Sequence, residues 1–124
     1  MNFLEEAKRY VATLRQGTKE RVAIEYLLEN AVGWENAKPW PEIKAHLDGQ
    51  GVSMSKNTFQ ASVVVPSRAG KVFIGSTDRG IKGYFIIAKA EDGRVMRAWY
   101  EKRINRERAN LDNLSKLLKE EWNI

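Results

Sequence analysis

The sequence has no cysteine and one histidine, His46. Without cysteine there is no disulfide framework, no thiolate nucleophile and no cysteine-ligated zinc, and one histidine cannot build a histidine metal cluster. Neither a metal nor another cofactor is expected. Long apolar runs are also missing. The longest, Val63-Val64-Val65 and Tyr84 to Ala88, are strand-sized, far short of the roughly 18 residues that cross a bilayer, so no membrane span is expected. The opening Met1-Asn2-Phe3-Leu4-Glu5-Glu6 lacks a basic segment followed by an apolar one, and acids come too early for a signal or transit peptide, which points to a cytoplasmic protein. Repeats, low-complexity tracts and Pro/Gly/Ser linkers are absent. Proline occurs three times, at positions 39, 41 and 66, leaving the last third of the chain without a strong helix breaker.

What is present suits one packed core. The chain has 124 residues, 43% hydrophobic and 30% charged, with 4 Trp, 4 Tyr and 4 Phe, so a single domain over 1–124 is expected. Net charge is +5 and pI ≈ 9.6. As a total this is a weak pointer to a polyanionic partner, but its distribution is uneven. Residues 1–53 carry 7 basic and 8 acidic side chains, 54–89 carry 6 and 1, and 90–124 carry 8 and 7. The middle segment holds an excess equal to the whole net charge, through Lys56, Arg68, Lys71, Arg79, Lys82 and Lys89.

Periodicity supplies the elements. Phe3, Leu4, Ala7, Val11 and Leu14 lie on one helical face within residues 1–17, with Gly17 able to stop that helix. Thr18 suits the N-cap of a second helix bearing Ile24, Leu27, Leu28 and Ala31, ended by Gly33. Pro41 and Glu42 open a short helix with Ile43 and Leu47 inside. Gly49-Gln50-Gly51 makes a sharp turn, Ser55 caps the next helix, and Pro66 is expected to end it near Val65. Lys71 to Gly75 and Tyr84 to Ala88 are rich in aromatic and β-branched residues and predict a β-hairpin with a long tip, Ser76 to Gly83. From about Ala90 to Trp122, Ile104, Leu111 and Leu118 recur every seven residues, with Tyr100 and Leu114 at matching positions, predicting a long terminal helix.

No catalytic foothold emerges, and no enzyme is expected. Gly70-Lys71 lacks the upstream Gly and the following hydroxyl of a phosphate-binding loop, since positions 65 and 72 are both Val. Glu42-Ile43-Lys44 has nuclease-like spacing but no preceding Asp and a helical setting. His46 has no motif that places a nucleophile or carboxylate beside it.

The order helix, helix, short helix, tight turn, helix, strand, long loop, strand, helix is that of a winged helix-turn-helix. The chain resembles that DNA-binding superfamily, in its bacterial and phage regulator form. The resemblance spans about residues 18–90. It rests on Ile43 to Leu47, Gly49-Gln50-Gly51-Val52, Lys56-Asn57-Thr58-Phe59-Gln60-Ala61, and the wing Phe73-Ile74-Gly75, Arg79-Gly80 and Gly83-Tyr84-Phe85-Ile86. It implies an α+β, mostly helical fold: a winged-helix core at 18–89, an extra N-terminal helix at 1–17 and a long C-terminal helix at 90–124.

Under that resemblance Ser55 to Val65 is the recognition helix. Counting about 100° per residue from Phe59 places Ser55, Ser62 and Val63 on the core side and Asn57, Gln60, Ala61, Val64 and Arg68 opposite. Amides bond adenine edges and small apolar groups meet thymine methyls, so Asn57, Gln60, Ala61 and Val64 are the expected base contacts. Lys56, Arg68, Lys71, Arg79 and Lys82 are the expected backbone contacts; the alternatives are a solvated helix face, and for Arg79 a loop charge or a pairing with Asp78. The expected function is double-stranded DNA binding by a transcriptional regulator or replication accessory protein. The alternative is a protein-binding winged helix presenting Trp34, Trp40, Trp99 or the C-terminal seam, as an inhibitor or assembly factor acting on another protein would; a third reading is the DNA-binding piece of a nuclease or recombinase. The seam Tyr100, Ile104, Leu111, Leu114 and Leu118 is longer than this core can cover, so it packs either on the first helix or on a second copy; the homodimer is favoured.

Overall fold

The computed structural model describes residues 2–68, 72–77 and 82–124. It is α+β and mostly helical, with one small antiparallel sheet and a long C-terminal helix. Helix α1 (Phe3–Thr13) is capped by Asn2, whose Oδ1 accepts from Glu5 N at 3.1 Å, and it buries Ala7 and Val11. Thr18 caps α2 (Lys19–Asn30), which buries Ala23, Ile24 and Leu27. A 3-10 turn (Trp34–Asn36) leads to α3 (Trp40–Gly49), with Pro41 in its first turn and Ile43 and Leu47 buried. These follow the sequence pattern closely, because local caps and apolar spacing dictate them.

The turn after α3 is built on Gly51, whose φ of 74° is the left-handed region that side chains with a Cβ avoid. Val52 N then donates back to Leu47 O at 2.8 Å, and buried Val52 and Met54 pin the turn to the core. Ser55 caps the following rod, its Oγ accepting from Thr58 N at 3.1 Å. The rod comprises α4 (Lys56–Phe59), a π turn (Gln60–Val64) and α5 (Val65–Ser67). Pro66 does not end the helix before itself, as expected, but lies inside it. The π turn explains this: Val65 N reaches back five residues to Gln60 O, and a widened turn of this kind relieves the clash between a proline ring and the carbonyl four residues earlier.

Strands β1 (Ile74–Thr77) and β2 (Gly83–Ile86) pair antiparallel with Ile74 opposite Ile86 and Thr77 opposite Gly83. The ladder therefore runs further toward the tip than the apolar runs suggest, since Ser76 and Thr77 join it; at the open end Ile87 N still donates to Phe73 O at 3.1 Å. The other edge of β2 is used by the segment after α2. Ile86 N donates to Ala31 O, Gly33 N to Ile86 O, and Lys38 and Tyr84 exchange both backbone bonds at 2.9 Å. Gly83 is required there: a Cβ would lie 2.2 Å from Lys38 O, and its φ is 141°.

Helix α6 (Ala90–Trp122) has 33 residues, about 50 Å at 1.5 Å per residue. The main core joins α1, α2, α3, the 56–67 rod and the hairpin around Phe59, Leu27, Ile43 and Leu47; a smaller cluster of Ala37, Phe85, Ile87 and Met96 seats the start of α6, with Trp34, Phe73, Trp99 and Tyr100 around it. Beyond Tyr100 every residue of α6 is exposed except half-buried Leu118. The first helix packs on α2 and leaves this distal half of α6 uncovered. Among the described residues no helix is long and apolar enough to cross a membrane, and no group of three His, Cys, Asp or Glu side chains gathers as a metal site.

Candidate nucleic-acid interface

The 56–67 rod is held by aromatic contacts on its inner side. Phe59 is fully buried, with Trp40 at 5.1 Å and Tyr84 edge-on at 5.0 Å between ring centroids. This chain of rings ties the start of α3, the rod and the hairpin into one unit. His46 stacks on Tyr26 at 4.4 Å, joining α3 to α2, and so has a packing role. Burial pushes the Tyr84 hydroxyl above its ordinary pKa, only partly offset by Arg68 and by the bond from Gln60. Tyr26 is raised as well, by burial and then by the negative charge of Glu42.

Outward, the rod presents Lys56, Asn57, Thr58, Ala61, Ser62, Val65 and Pro66, all exposed. No acidic residue occurs in 49–77. Lys56 makes no ion pair and the Asn57 amide no hydrogen bond among the described residues, so both are available to a ligand. Lys19 joins them from α2: its Nζ donates to Ser53 O at 3.1 Å, bringing a cation beside the turn across 34 positions of sequence. Lys82 is exposed immediately before the second strand.

Three expected contacts are corrected. Val64 is wholly buried, because the π turn advances less than 100° per residue and carries it inward, while Val65 stays outside at 58% exposed. Gln60 is half-buried and its amide donates to the Tyr84 hydroxyl, so it braces the rod against the hairpin instead of facing solvent. Arg68 turns back as well. Its Nε donates to Ile74 O at 3.0 Å and its guanidinium lies 5.8 Å from the centres of both the Phe73 and Tyr100 rings, cementing the rod, β1 and α6. Asn57 and Ala61 are exposed as expected. Lys71 and Arg79 lie outside the described residues, and Lys89 is drawn into an ion pair with Glu35 at 2.7 Å. Of the six basic residues that carry the middle segment's charge, Lys56 and Lys82 are exposed and make no ion pair among the described residues.

The tryptophans expected for a protein-binding face are each half-buried. Trp40 packs on Phe59, and Trp99 lies edge-on to Tyr100 with the Arg103 guanidinium 5.5 Å from its ring. Trp34 is half-buried and its backbone N–H is held by Asp92.

Sequence reasoning missed Lys19, Thr58, Ser62 and Val65, and also Asp92, a fully buried carboxylate. Asp92 Oδ1 accepts from Trp34 N at 2.9 Å, and Oδ2 from Ala88 N and Lys89 N at 3.0 and 3.1 Å. It locks the first turn of α6 to the loop after α2. Its signal was legible as an acid in a helix's first turn; its partner 58 positions away was not. Compared with family models, with curated proteins and with solved structures, the chain finds no match.

Proposed function

We propose that the chain binds double-stranded DNA as a winged helix, with α3 and the 56–67 rod as the helix-turn-helix and the β1–β2 hairpin as the wing. It then acts as a bacterial or phage transcriptional regulator or replication accessory protein. The observation that carries this reading is the outward face of the rod: Lys56, Asn57, Thr58, Ala61 and Ser62 form a polar and small-residue surface without acids, on an element braced from behind by Phe59, Gln60 and Tyr84. A rigid helix with amide, hydroxyl and methyl groups outward matches the chemistry of major-groove edges, and Lys19, Lys56 and Lys82 suit phosphates. Further support comes from the Lys38–Tyr84 bonds, an isolated bridge that docks the segment between the second and third helices on the edge of the hairpin.

Fluorescence anisotropy on a random-sequence duplex tests this. Binding should weaken linearly in log Kd against log salt, and Lys56→Ala should reduce the slope by about 1. Asn57→Ala should relax sequence preference on a selected site. Absence of binding at about 50 mM salt, or binding indifferent to salt, would overturn the reading.

A further inference from the structure

We propose that α6 pairs antiparallel with α6 of a second copy, and that Trp122 of each copy fills the apolar groove at the head of the other's helix. This does not depend on the DNA reading.

The seam is one continuous face. At about 100° per residue, Arg97, Tyr100, Leu111, Leu118 and Trp122 fall within about 40° of Ile104, together with Arg108 and Ser115, and Leu114 lies at the edge. Ile104, Leu111, Leu114 and Trp122 are 56%, 60%, 52% and 67% exposed, far more than apolar side chains of this size require. At its N-terminal end the same face opens into a groove of about 850 Å³, walled by Phe3, Phe73, Met96 and Tyr100 and rimmed by Arg97 and Glu101. The groove and the exposed leucines are therefore two parts of one surface.

Charge selects the direction and register. A parallel pair would set Arg97 against Arg97 and Glu107 against Glu107 within the seam, and Arg103 against Arg108 beside it. An antiparallel pair with its two-fold axis near residues 109–110 sets Tyr100 opposite Leu118, Ile104 opposite Leu114, and Arg97 opposite Glu121. On the flank, Glu101 then meets Lys119 and Arg108 meets Asp112, each twice by symmetry. Sliding by seven residues one way brings Glu101 to Asp112, and the other way Lys119 to Arg108. None of Arg97, Glu101, Arg108, Asp112, Lys119 and Glu121 has an ion-pair partner among the described residues of its own chain. In the selected register Trp122 lies opposite Met96, at the groove. Glu107 faces Leu111 at the edge of the seam, its one unmatched charge.

The size is adequate. From Arg97 to Trp122 the strip is about 39 Å long and about 10 Å across, roughly 400 Å² on each copy. With two filled grooves the pair reaches the order of 1,000 Å² at which specific interfaces begin.

The absence of cysteine makes the geometry testable in the full chain. Sedimentation equilibrium should give a dimer at micromolar concentration. A short bismaleimide should link Asn110→Cys to itself across the two-fold. It should leave Leu117→Cys unlinked, because antiparallel pairing puts the two copies of that position about 21 Å apart along the axis. Lys119→Glu should weaken the dimer about tenfold or more, and Glu101→Lys in the same chain should restore it. Trp122→Ala should weaken it without changing the helical content of the monomer. A folded protein that stays monomeric at 100-fold higher concentration overturns the proposal. So does efficient linking through Leu117→Cys, the outcome of parallel pairing, or a charge reversal that the second substitution fails to rescue.

Discussion

Replacing Asp92 by alanine removes the carboxylate that accepts from three backbone N–H groups, that of Trp34 in the loop after α2 and those of Ala88 and Lys89 at the head of α6. The carboxylate is wholly buried, and the three bonds are 2.9, 3.0 and 3.1 Å long. The donor of Trp34 belongs to a half-buried residue packed in the smaller cluster, where an unmet N–H costs about 2 kcal/mol. Those of Ala88 and Lys89 are nearer solvent and regain water, so together they add about the 1 kcal/mol typical of a lost helix cap. The expected loss is about 3 kcal/mol, a substantial share of the 5–15 kcal/mol that holds a domain of this size. Urea unfolding followed by circular dichroism at 222 nm measures it, with the slope against urea unchanged if two-state behaviour holds. Asp92→Asn sharpens the reasoning. The amide is nearly the same shape but offers one acceptor oxygen, and its NH₂ must face at least one N–H, so about half or more of the loss should remain. The ion pair between Lys89 and Glu35 bridges the same two segments but is about half exposed on both sides, and Glu35→Ala should leave the transition in place. A loss below about 1 kcal/mol for Asp92→Ala, or an asparagine variant as stable as the parent, would show that the clamp is not what seats α6.

Other consequences are equally direct. Val64→Ala should cost about 2 kcal/mol by opening a cavity in the core, while Val65→Ala stays within about 0.5 kcal/mol; equal effects in thermal unfolding would refute the π-turn register. Gly83→Ala should destabilise by about 3 kcal/mol or prevent folding, since its Cβ would meet Lys38 O at 2.2 Å on a backbone held at φ 141°; a neutral outcome in urea unfolding would count against the Lys38–Tyr84 pairing. Absorbance near 295 nm should show Tyr84 ionising above its ordinary value of 10.0, a signal that Tyr84→Phe removes. Because the folded state holds this proton more tightly than the unfolded chain, its contribution to stability is whole below about pH 10 and is lost as pH rises through the higher folded value. Unfolding curves whose midpoint rises above pH 10 would contradict that sign.

Much of the architecture was legible because it is local. Thr18 and Ser55 cap the helices that their positions predict, Gly51 makes its turn, and the long terminal helix runs from Ala90 to Trp122. The outward direction of individual side chains was less legible. A wheel count assumes a constant 100° step, and one π turn before Pro66 carried Val64 inward. Polarity alone also marked Gln60 and Arg68 as ligand-facing, though each had an acceptor elsewhere in the fold, the Tyr84 hydroxyl and Ile74 O.

Composition, caps and apolar spacing thus determined by themselves which segments are helical, where the hairpin lies and that the positive charge concentrates between residues 54 and 89. Only the tertiary structure decided which of those charges stay available, because Lys89 found Glu35 and Arg68 found Ile74 and two rings. It also decided that the leucine face of α6 is left bare by α1. Local rules act over one turn of chain, whereas availability depends on what packing brings from dozens of residues away.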